Sequence, residues 1–376
     1  MIIMKANKIS LRRVANFGML LFMVVYVLVI GQSILVPLTF GALFAFMLKP
    51  LCTRYGRWIK WRSLAIILAM VTAIVPLTAI VYFFSTQLMK VMADMPSIKE
   101  KLNTGISRIY FYTKNTLGFT RAETDHFFSE QLPSMVSSSS FFGDGFSFSA
   151  AFITGFFLTF IYVFIFLLYR SAFKDFMLMQ TQMTQREGTH ELLEKIQKVV
   201  HGYLQGIVMV IAIMGILNSV GLSVIGIDHP FFWGFLAAML AIIPYIGTFI
   251  GGLLPFLYAI ATAEEAWQPT AVVILFVVVQ VLEGNLITPK VVGSSVSINP
   301  LAAIIALLIG AKIWGVAGMI LSLPCIAIFN ELLKQSDAWR PVSLLLSDEI
   351  GQNEHLFKQK WDKERFRLSN FFKTPP

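Results

Sequence analysis

The chain has few charged residues, only 14% of its 376 positions, and only two cysteines, Cys52 and Cys325. So small a share of charge, beside 56% hydrophobic residues, excludes a soluble domain because such a domain needs a polar surface. Two cysteines supply neither a disulfide framework nor a metal-ligand set. The composition therefore predicts a membrane protein without a metal or other cofactor.

Catalytic motifs are missing as well. The sequence contains no H-E-x-x-H zinc motif, no G-x-S-x-G nucleophile elbow and no G-x-x-x-x-G-K-[ST] phosphate loop. We therefore expect neither ATP hydrolysis nor another enzymatic activity. The net charge of +9 is held in clusters that flank apolar runs, so it indicates membrane orientation and not nucleic-acid binding.

Long apolar runs are what the sequence has instead. Several reach the roughly 18 to 25 residues that an α-helix needs to cross a bilayer core about 30 Å thick. They do not alternate at every second residue, as the strands of a membrane barrel would. The sequence therefore predicts an all-α polytopic membrane protein. The unbroken spans are expected at about Val14–Gly31, Ile34–Leu48, Leu64–Leu88, Phe148–Tyr169, Tyr203–Ile227 and Pro269–Ile287. Only Gln32 and Ser33 separate the first two spans, which predicts a tight helical hairpin.

Two further apolar runs, Pro230–Ile260 and Pro300–Phe329, are interrupted near their middle by proline or glycine. A straight helix of about 30 residues measures roughly 45 Å and overshoots the bilayer core. Either both runs span, giving eight spans, or both are re-entrant hairpins, giving six spans and two hairpins. The loop Ala261–Gln268 distinguishes these models. It contains Glu264 and Glu265 but no Lys or Arg, which favours the outside and hence the hairpins.

Polar side chains at the end of the Pro269–Ile287 span are candidates for function, because such groups at membrane depth are costly. Gln280 and Glu283 are predicted to share one helical face, and a carboxylate there can accept a proton or bind a cation. Pro289 is expected to stop the helix near Asn285 and leave unwound backbone, which at membrane depth lines a cavity or is buried in protein. A structural alternative stays open, in which Glu283 only pairs with Asn285 or Lys290 to fix a loop.

The break in the first long run supplies a second candidate segment, with Tyr245 as its polar residue. Two similar halves, each a span followed by a broken run, indicate an inverted repeat of the kind that supports alternating access. Lys312 is a candidate to meet an anion or Glu283, and the alternative is that it snorkels to a nearby surface if its run is a hairpin. The residues predicted to act as helix breaks or hinges are Pro244, Gly247, Pro255, Gly284, Pro289, Gly293, Pro300, Gly315 and Gly318.

Short motifs spread along the chain occur in a fixed order. They are Tyr203-Leu204-Gln205-Gly206, Ile243-Pro244-Tyr245-Ile246-Gly247, Glu283-Gly284-Asn285, Pro289-Lys290-Val291-Val292-Gly293, Asn299-Pro300, Gly315-Val316-Ala317-Gly318 and Leu323-Pro324. As an ordered set they resemble the autoinducer-2 exporter family. The resemblance covers the chain from about Gly18 to Asp348.

The resemblance implies an integral transporter of the bacterial inner membrane. Members of that family are proposed to export the quorum-sensing molecule autoinducer-2 or to exchange monovalent cations for protons. The implied partners are the lipid bilayer, a small solute or a cation and a proton, and further copies of the chain in a homo-oligomer, specifically a pentamer. A cation/proton antiporter centred on Glu283 is the first alternative, and a membrane scaffold that transports nothing is an alternative from a different class.

The expected organisation follows the spans and the basic clusters. Both termini and the basic loop around Arg57 are placed in the cytoplasm by their Lys and Arg residues. Five regions are predicted. They are an N-terminal three-span unit (1–88), an extracytoplasmic arm (89–150), the fourth span with a cytoplasmic linker helix (151–200), a transport core with the two broken runs (201–333) and a basic cytoplasmic tail (334–376).

Thiol labelling tests this orientation. Cysteines introduced at Ser138 in the arm and at Glu264 are expected to react with an impermeant reagent from outside the cell, whereas a cysteine at Ser63 is protected until the cell is permeabilised. Labelling at Ser63 together with protection at Ser138 would invert the orientation. Labelling at Glu264 only after permeabilisation would favour eight spans over re-entrant hairpins.

Overall fold

Helices make up most of the described part of the chain. The computed structural model describes residues 11–117, 150–181, 186–243, 246–291, 298–336 and 339–348, and no strand occurs among them. The predicted all-α fold class is confirmed. In chain order the helices are α1 (Leu11–Ile30), α2 (Gln32–Tyr55), α3 (Arg62–Leu117), α4 (Ala150–Leu168), α5 (Arg170–Met179), α6 (Arg186–Ile225), α7 (Pro230–Leu240), α8 (Ile246–Thr262), α9 (Gln268–Leu282), α10 (Thr288–Val291), α11 (Pro300–Leu333) and α12 (Arg340–Leu346), with a π-helical segment, Glu283–Ile287, between α9 and α10.

Five of the described helical stretches are long and apolar enough to cross a bilayer, and a sixth is added if α4 and α5, which meet at a bend of 63°, form one span. By length and composition alone, the five are α2, the stretch Arg62–Ala93 of α3, α6, the stretch Gln268–Val291 and α11, although α11 has a kink at Trp314 and Gly315. The chain is therefore a multi-pass membrane protein. The count of eight apolar segments and the extracytoplasmic arm stay predictions. Residues 118–149 of the arm and 349–376 of the tail lie outside the described residues.

The helices group into two compact units. Unit 1 comprises Met1–Ala73, Gly155–Ile207 and Thr288–Pro376, and unit 2 comprises Ile74–Thr154 and Val208–Ile287. The linker helix predicted to continue into the fifth span does so as α6, which supplies residues to both units. The five-region division made from the sequence stays a prediction.

Unit 1 is built around α2. Leu43 of α2 is buried together with Val200 of α6 and Leu321 of α11. The backbone of α2 also approaches α4 closely, because a Cβ added at Gly41 would lie 2.6 Å from the Tyr162 Cβ. Small residues at such contacts let membrane helices pack by van der Waals contact where no hydrophobic driving force exists between them.

Helix α1 differs from its prediction. Gly31 alone connects α1 to α2, which is shorter than the two to five residues of an αα-hairpin loop. From Ala15 to Ile30 every side chain except the partly buried Leu28 is exposed, so no face of α1 is buried along α2. Both segments are helical as predicted, but the tight hairpin is wrong. The Trp314 indole N–H of α11 donates a hydrogen bond of 2.8 Å to the Leu28 carbonyl, which anchors α1 at that point.

Unit 2 has its own apolar core, formed by α3, α6, α7, α8 and α9. Val272 of α9 is fully buried in it, and the rings of Trp233 and Tyr258 lie 4.9 Å apart between centroids. Gln268 closes one end of this core, because its amide N–H donates a hydrogen bond of 2.9 Å to the Ile225 carbonyl at the end of α6. The start of α9 is thereby fixed to the end of α6.

The first broken run folds back as a helical hairpin of α7 and α8. A Cβ added at Gly247 would lie 1.7 Å from the Leu240 carbonyl oxygen, and one added at Gly251 would lie 2.9 Å from the Ala237 Cα. The two helices therefore touch backbone to backbone, and only glycine fits at these positions. Gly247 lies in the first turn of α8, next to the reversal, and its role as a hinge stays a prediction.

Pro255 does not act as the predicted break. Helix α8 continues through it from Ile246 to Thr262, with the proline buried. That prediction is wrong because packing and small backbone adjustments let a membrane helix tolerate one missing N–H.

The second broken run, α11, also folds back on itself. Trp314 and Gly315 have non-helical angles, and the φ of +58° at Gly315 lies in the left-handed region that favours glycine. A Cβ added at Gly318 would lie 1.9 Å from the Gly310 carbonyl oxygen, so the two halves meet directly. Pro300 begins the run after an Asn299 cap whose side chain accepts a hydrogen bond from the Ala302 N–H. Both runs have the hairpin form, and their position in a bilayer stays a prediction.

Neighbouring glycines in α8 allow a matched test of the α7–α8 hairpin. Gly251→Ala should lower the thermal unfolding midpoint of the purified protein, because its new methyl group meets Ala237 backbone; overpacking of this kind costs about 1–3 kcal/mol. In Gly252→Ala the nearest atoms are those of the Phe276 ring at 3.5 Å, an ordinary contact. That variant should match or exceed the wild-type midpoint, since alanine favours a helix by about 1 kcal/mol over glycine. Equal midpoints for the two variants would contradict the close hairpin contact.

Candidate functional site

The polar end of α9 is built on a π-helical segment. Residues Glu283–Ile287 adopt this form between α9 and the short α10. A π turn accommodates one extra residue in a helix and is frequently found at functional sites. Gly284 has no side chain to favour the regular helix, and the proline in α10 lacks an N–H, so the sequence locally disfavours an unbroken α-helix.

The helix was expected to stop near Asn285 and leave unwound backbone up to Pro289, and this prediction is wrong. The chain stays helical through the π segment and α10 as far as Val291. The extra residue of the π turn shifts the register of the backbone hydrogen bonds. This shift lets the helix accommodate Pro289, which has no N–H to donate. Gly284 and Pro289 are exposed and mark a change of helix type, not a break.

Gln280 and Glu283 do lie on one face, as predicted. The Gln280 amide donates a hydrogen bond of 2.9 Å to the Glu283 carboxylate. The side chain of Glu283 is half-buried. Asn285 in the π segment uses its amide differently, donating a hydrogen bond of 2.9 Å to the Val281 carbonyl. Gln280 therefore supports a carboxylate that can bind a proton or a cation, while Asn285 supports the backbone.

The other predicted site residues are placed elsewhere. Lys290 and Lys312 are exposed members of unit 1, on α10 and α11, and Lys312 lies two residues before the Trp314–Gly315 turn. Tyr245 and Pro244, like the predicted hinge Gly293, lie outside the described residues. A partnership of either lysine with Glu283 stays a hypothesis.

A second polar group lies in the core of unit 2. Three of its side-chain atoms are buried with no hydrogen-bond partner among the residues that the structure describes: Asn218 Oδ1, Ser219 Oγ and Trp233 Nε1. Their residues are 2%, 0% and 4% exposed. We call these three residues the buried polar group.

Close packing of α6 on α7 positions this group. A Cβ added at Gly234 would lie 2.3 Å from Ser219 Oγ and 2.5 Å from the Ser219 nitrogen, so the two backbones touch. Asn218 and Trp233 are the chain neighbours of these two residues. The three residues of the buried polar group therefore lie at or directly beside a single contact between α6 and α7.

Helix α9 packs on the same pair of helices. Val279 of α9 is buried together with Met214 of α6 and Ala238 of α7. Because Val279 directly precedes Gln280, the part of α9 that leads into the Gln280–Glu283 pair packs on the two helices that carry the buried polar group. Leaving a buried donor or acceptor unpaired costs about 1–3 kcal/mol, so three such atoms require a functional or structural explanation.

A family model described as AI-2E family transporter matches residues 17–337. The chain belongs to the AI-2E transporter family. It is therefore a membrane transporter, and the resemblance based on its ordered motifs is confirmed. The motif Glu283-Gly284-Asn285 and the glycines of both hairpins lie within the matched residues.

Individual relatives carry similar descriptions. YhhT of Escherichia coli (strain K12), named as a proposed transport protein, is 24% identical over 325 residues, which cover 84% of this chain and 88% of that protein. YrrI of Bacillus subtilis (strain 168), also named as a proposed transport protein, is 29% identical over 153 residues, 41% of this chain and 43% of that protein. The AI-2 transport protein TqsA of Escherichia coli (strain K12) is 25% identical over 162 residues, 43% of this chain and 46% of that protein. The last two matches span less than half of each relative.

The buried polar group of this AI-2E transporter was not predicted from its sequence. Asn218 and Ser219 form the polar pair Asn-Ser within an otherwise apolar stretch of α6, which is a usable signal. Trp233 gave no such sequence signal, because a tryptophan in a membrane helix is usually interpreted as an apolar residue or as an interfacial anchor. Only the contact at Gly234 reveals that Ser219 of α6 meets α7 beside Trp233.

Two buried asparagines provide a matched test of this group. Asn218 and Asn330 are each 2% exposed, but Asn330 Oδ1 accepts a hydrogen bond of 2.7 Å from the Ser343 hydroxyl. Asn330→Leu should lower the unfolding midpoint, because it leaves the buried Ser343 unpaired at a cost of about 1–3 kcal/mol. Asn218→Leu, of similar shape, should leave the midpoint unchanged or raise it, since it removes an unpaired acceptor, yet it should reduce transport. Normal transport by Asn218→Leu would remove Asn218 from the site.

Proposed function

We propose that this transporter exports a small, neutral, polar solute across the bacterial inner membrane by alternating access, with the buried polar group at the solute site. The observation that carries the proposal is the set of unpaired polar atoms at the α6–α7 contact. A secondary transporter exposes its site in turn to each side of the membrane. Atoms that lack partners in one conformation gain them from solute or water in another, so they favour movement at this contact.

The chemistry of the group supports a neutral solute. Trp233 supplies an N–H donor, Asn218 an acceptor oxygen, and Ser219 a hydroxyl that donates and accepts. A molecule rich in hydroxyl groups satisfies both kinds of atom, and an apolar patch of its surface can lie on the Trp233 ring. None of the three side chains carries a charge. The name of TqsA makes autoinducer-2 the first solute to test, as a quorum-sensing signal.

The α7–α8 hairpin is the proposed moving element. Its backbone contacts at Gly247 and Gly251 make it a compact body, and Trp233 lies on its first helix. A hairpin held together by its own glycine contacts can shift without losing its internal packing. Its movement relative to α6 would open the Ser219–Gly234 contact and expose the polar atoms of unit 2.

Glu283 gives the second candidate function, monovalent cation/proton exchange. Glu283 is a half-buried carboxylate that accepts a hydrogen bond from Gln280, and carboxylate oxygens suit a cation or a proton. In the exporter the same group would couple solute movement to protons. In an antiporter it would itself form the transport site. A scaffold that transports nothing is disfavoured by membership of a transporter family.

Localisation and assembly belong to the same proposal. The inner membrane, cytoplasmic termini and a homo-oligomer, specifically a pentamer, follow from the basic clusters and the family resemblance. The exposed apolar surface of α1, which includes Met19, Phe22 and Met23 at 71%, 74% and 66% exposure, suits either lipid or another copy of the chain.

Flux through proteoliposomes tests the function and the role of Glu283 together. Vesicles that contain the purified chain should release autoinducer-2 faster than vesicles without protein, at a rate that depends on pH. Glu283→Gln keeps the shape and the hydrogen-bonding capacity of the side chain but removes its charge, so it should abolish the pH dependence without changing expression or oligomer size. Glu264→Gln, which removes an exposed loop carboxylate of the same unit, should keep the wild-type pH profile.

The outcomes separate the candidate functions. Exchange of Na⁺ or Li⁺ for protons without solute release would establish the antiporter. A normal pH profile in Glu283→Gln would exclude this carboxylate from coupling. The absence of both solute flux and ion flux, measured with protein of native oligomer size, would support the scaffold.

A further inference from the structure

A basic concavity lies at the C-terminal end of α2, in unit 1. It has a volume of about 520 Å³ and is lined by Lys49, Pro50, Thr53, Arg54, Arg57 and Gln197. Three of the six lining side chains are cations and none is a carboxylate. Neither the transport proposal nor the family comparison uses this feature.

Contacts on two sides hold its polar groups in place. The Lys49 ammonium donates a hydrogen bond to the Gln197 side-chain oxygen of α6. Arg170 of α5 donates one of 3.4 Å to the Thr53 hydroxyl. Thr53 in turn donates one of 2.9 Å to the Lys49 carbonyl, which keeps its side chain along α2. Helix α6 thereby contributes Gln197 to the lining, and α5 supports the lining residue Thr53 through Arg170.

The positive charge here is not neutralised within the described residues. Arg170 and Lys174 act on Lys49 as like charges, and Glu194 is the opposing carboxylate. Among the described side chains, Arg54 and Arg57 form no ion pair. The C-terminal end of α2 contributes only about half a negative charge through the helix dipole, so the cations dominate. The concavity therefore attracts an anion.

Two tryptophans indicate where the concavity lies relative to lipid. Trp58 and Trp61, in the turn that follows α2, are 82% and 77% exposed. Exposed tryptophan next to the end of a membrane helix is typical of the headgroup level of a bilayer. An anion that reaches the concavity can therefore be part of the membrane itself.

We propose that this concavity binds the phosphate of an anionic phospholipid. Guanidinium groups such as those of Arg54 and Arg57 pair with phosphate oxygens through two parallel hydrogen bonds, and Lys49 adds a third cation. Basic pockets between membrane helices are known to hold lipid headgroups. The same chemistry would accept a soluble phosphate ester, and the Trp58–Trp61 turn favours the lipid as its source.

Thermal unfolding of the purified full-length protein in detergent measures this binding. Added phosphatidylglycerol should raise the unfolding midpoint, whereas phosphatidylcholine and glycerol 3-phosphate at the same concentration should not. Titration then gives the apparent affinity for phosphatidylglycerol. Arg57→Gln and Arg54→Gln should each weaken it about tenfold, the loss expected for a charge-assisted hydrogen bond to phosphate.

Lys60→Gln is the matched control. It removes the same charge from the same turn, three residues after Arg57, but Lys60 does not line the concavity. It should therefore keep the wild-type affinity. Native mass spectrometry should find phosphatidylglycerol retained on wild type and on Lys60→Gln, but not on the double variant Arg54→Gln/Arg57→Gln.

An equal loss of affinity in Lys60→Gln would show that the effect depends only on general surface charge, and it would overturn the proposed site. Stabilisation by glycerol 3-phosphate that is lost in Arg57→Gln would overturn the lipid in favour of a soluble phosphate ester, and no response to any of these molecules would overturn the proposal.

Discussion

Every backbone donor and acceptor inside a bilayer needs a partner within the protein, and this constraint explains most of the described architecture. It is satisfied by helices, and it applies even where the sequence works against them. Pro289 lacks an N–H, yet the chain does not unwind there. The π segment Glu283–Ile287 changes the hydrogen-bond register, so that the helix continues to Val291. A polar turn of helix is thereby retained at the end of an apolar span.

The same constraint governs the two places where helices reverse. A reversal within an apolar run exposes the backbone unless the two arms protect each other. In the α7–α8 hairpin and within α11 the arms touch backbone to backbone, at Gly251 and at Gly310 with Gly318. Any side chain at these positions would separate the arms. Glycine is thus required by proximity there, and Gly315 alone in α11 is also required by its positive φ.

Apolar periodicity and length were sufficient to predict helices and most of their approximate bounds, because both depend on local sequence and bilayer thickness. The ordered short motifs were sufficient to predict the family. Local rules failed where a longer-range contact decides the outcome. Pro255 was predicted to break its helix, but the helix continues through it because the proline is packed. Helix α1 was predicted to form half of a hairpin, but it is anchored by the hydrogen bond from Trp314. The face shared by Gln280 and Glu283 was predictable since it depends on helical spacing alone, whereas the meeting of Ser219 with Gly234 depends on tertiary packing.

The two units differ in how they treat their buried polar side chains. In unit 1, Asn330 is paired with Ser343, and Asn299 caps α11. Of the four buried side-chain atoms found unpaired among the described residues, one is His201 Nδ1 of unit 1, and the other three form the buried polar group of unit 2. Chance would not favour three such atoms at one helix contact, given their cost in free energy. A structural role would have favoured apolar residues, which pack equally well without that cost. Retention of unpaired polar atoms in unit 2 therefore supports the proposal that these atoms gain partners during transport.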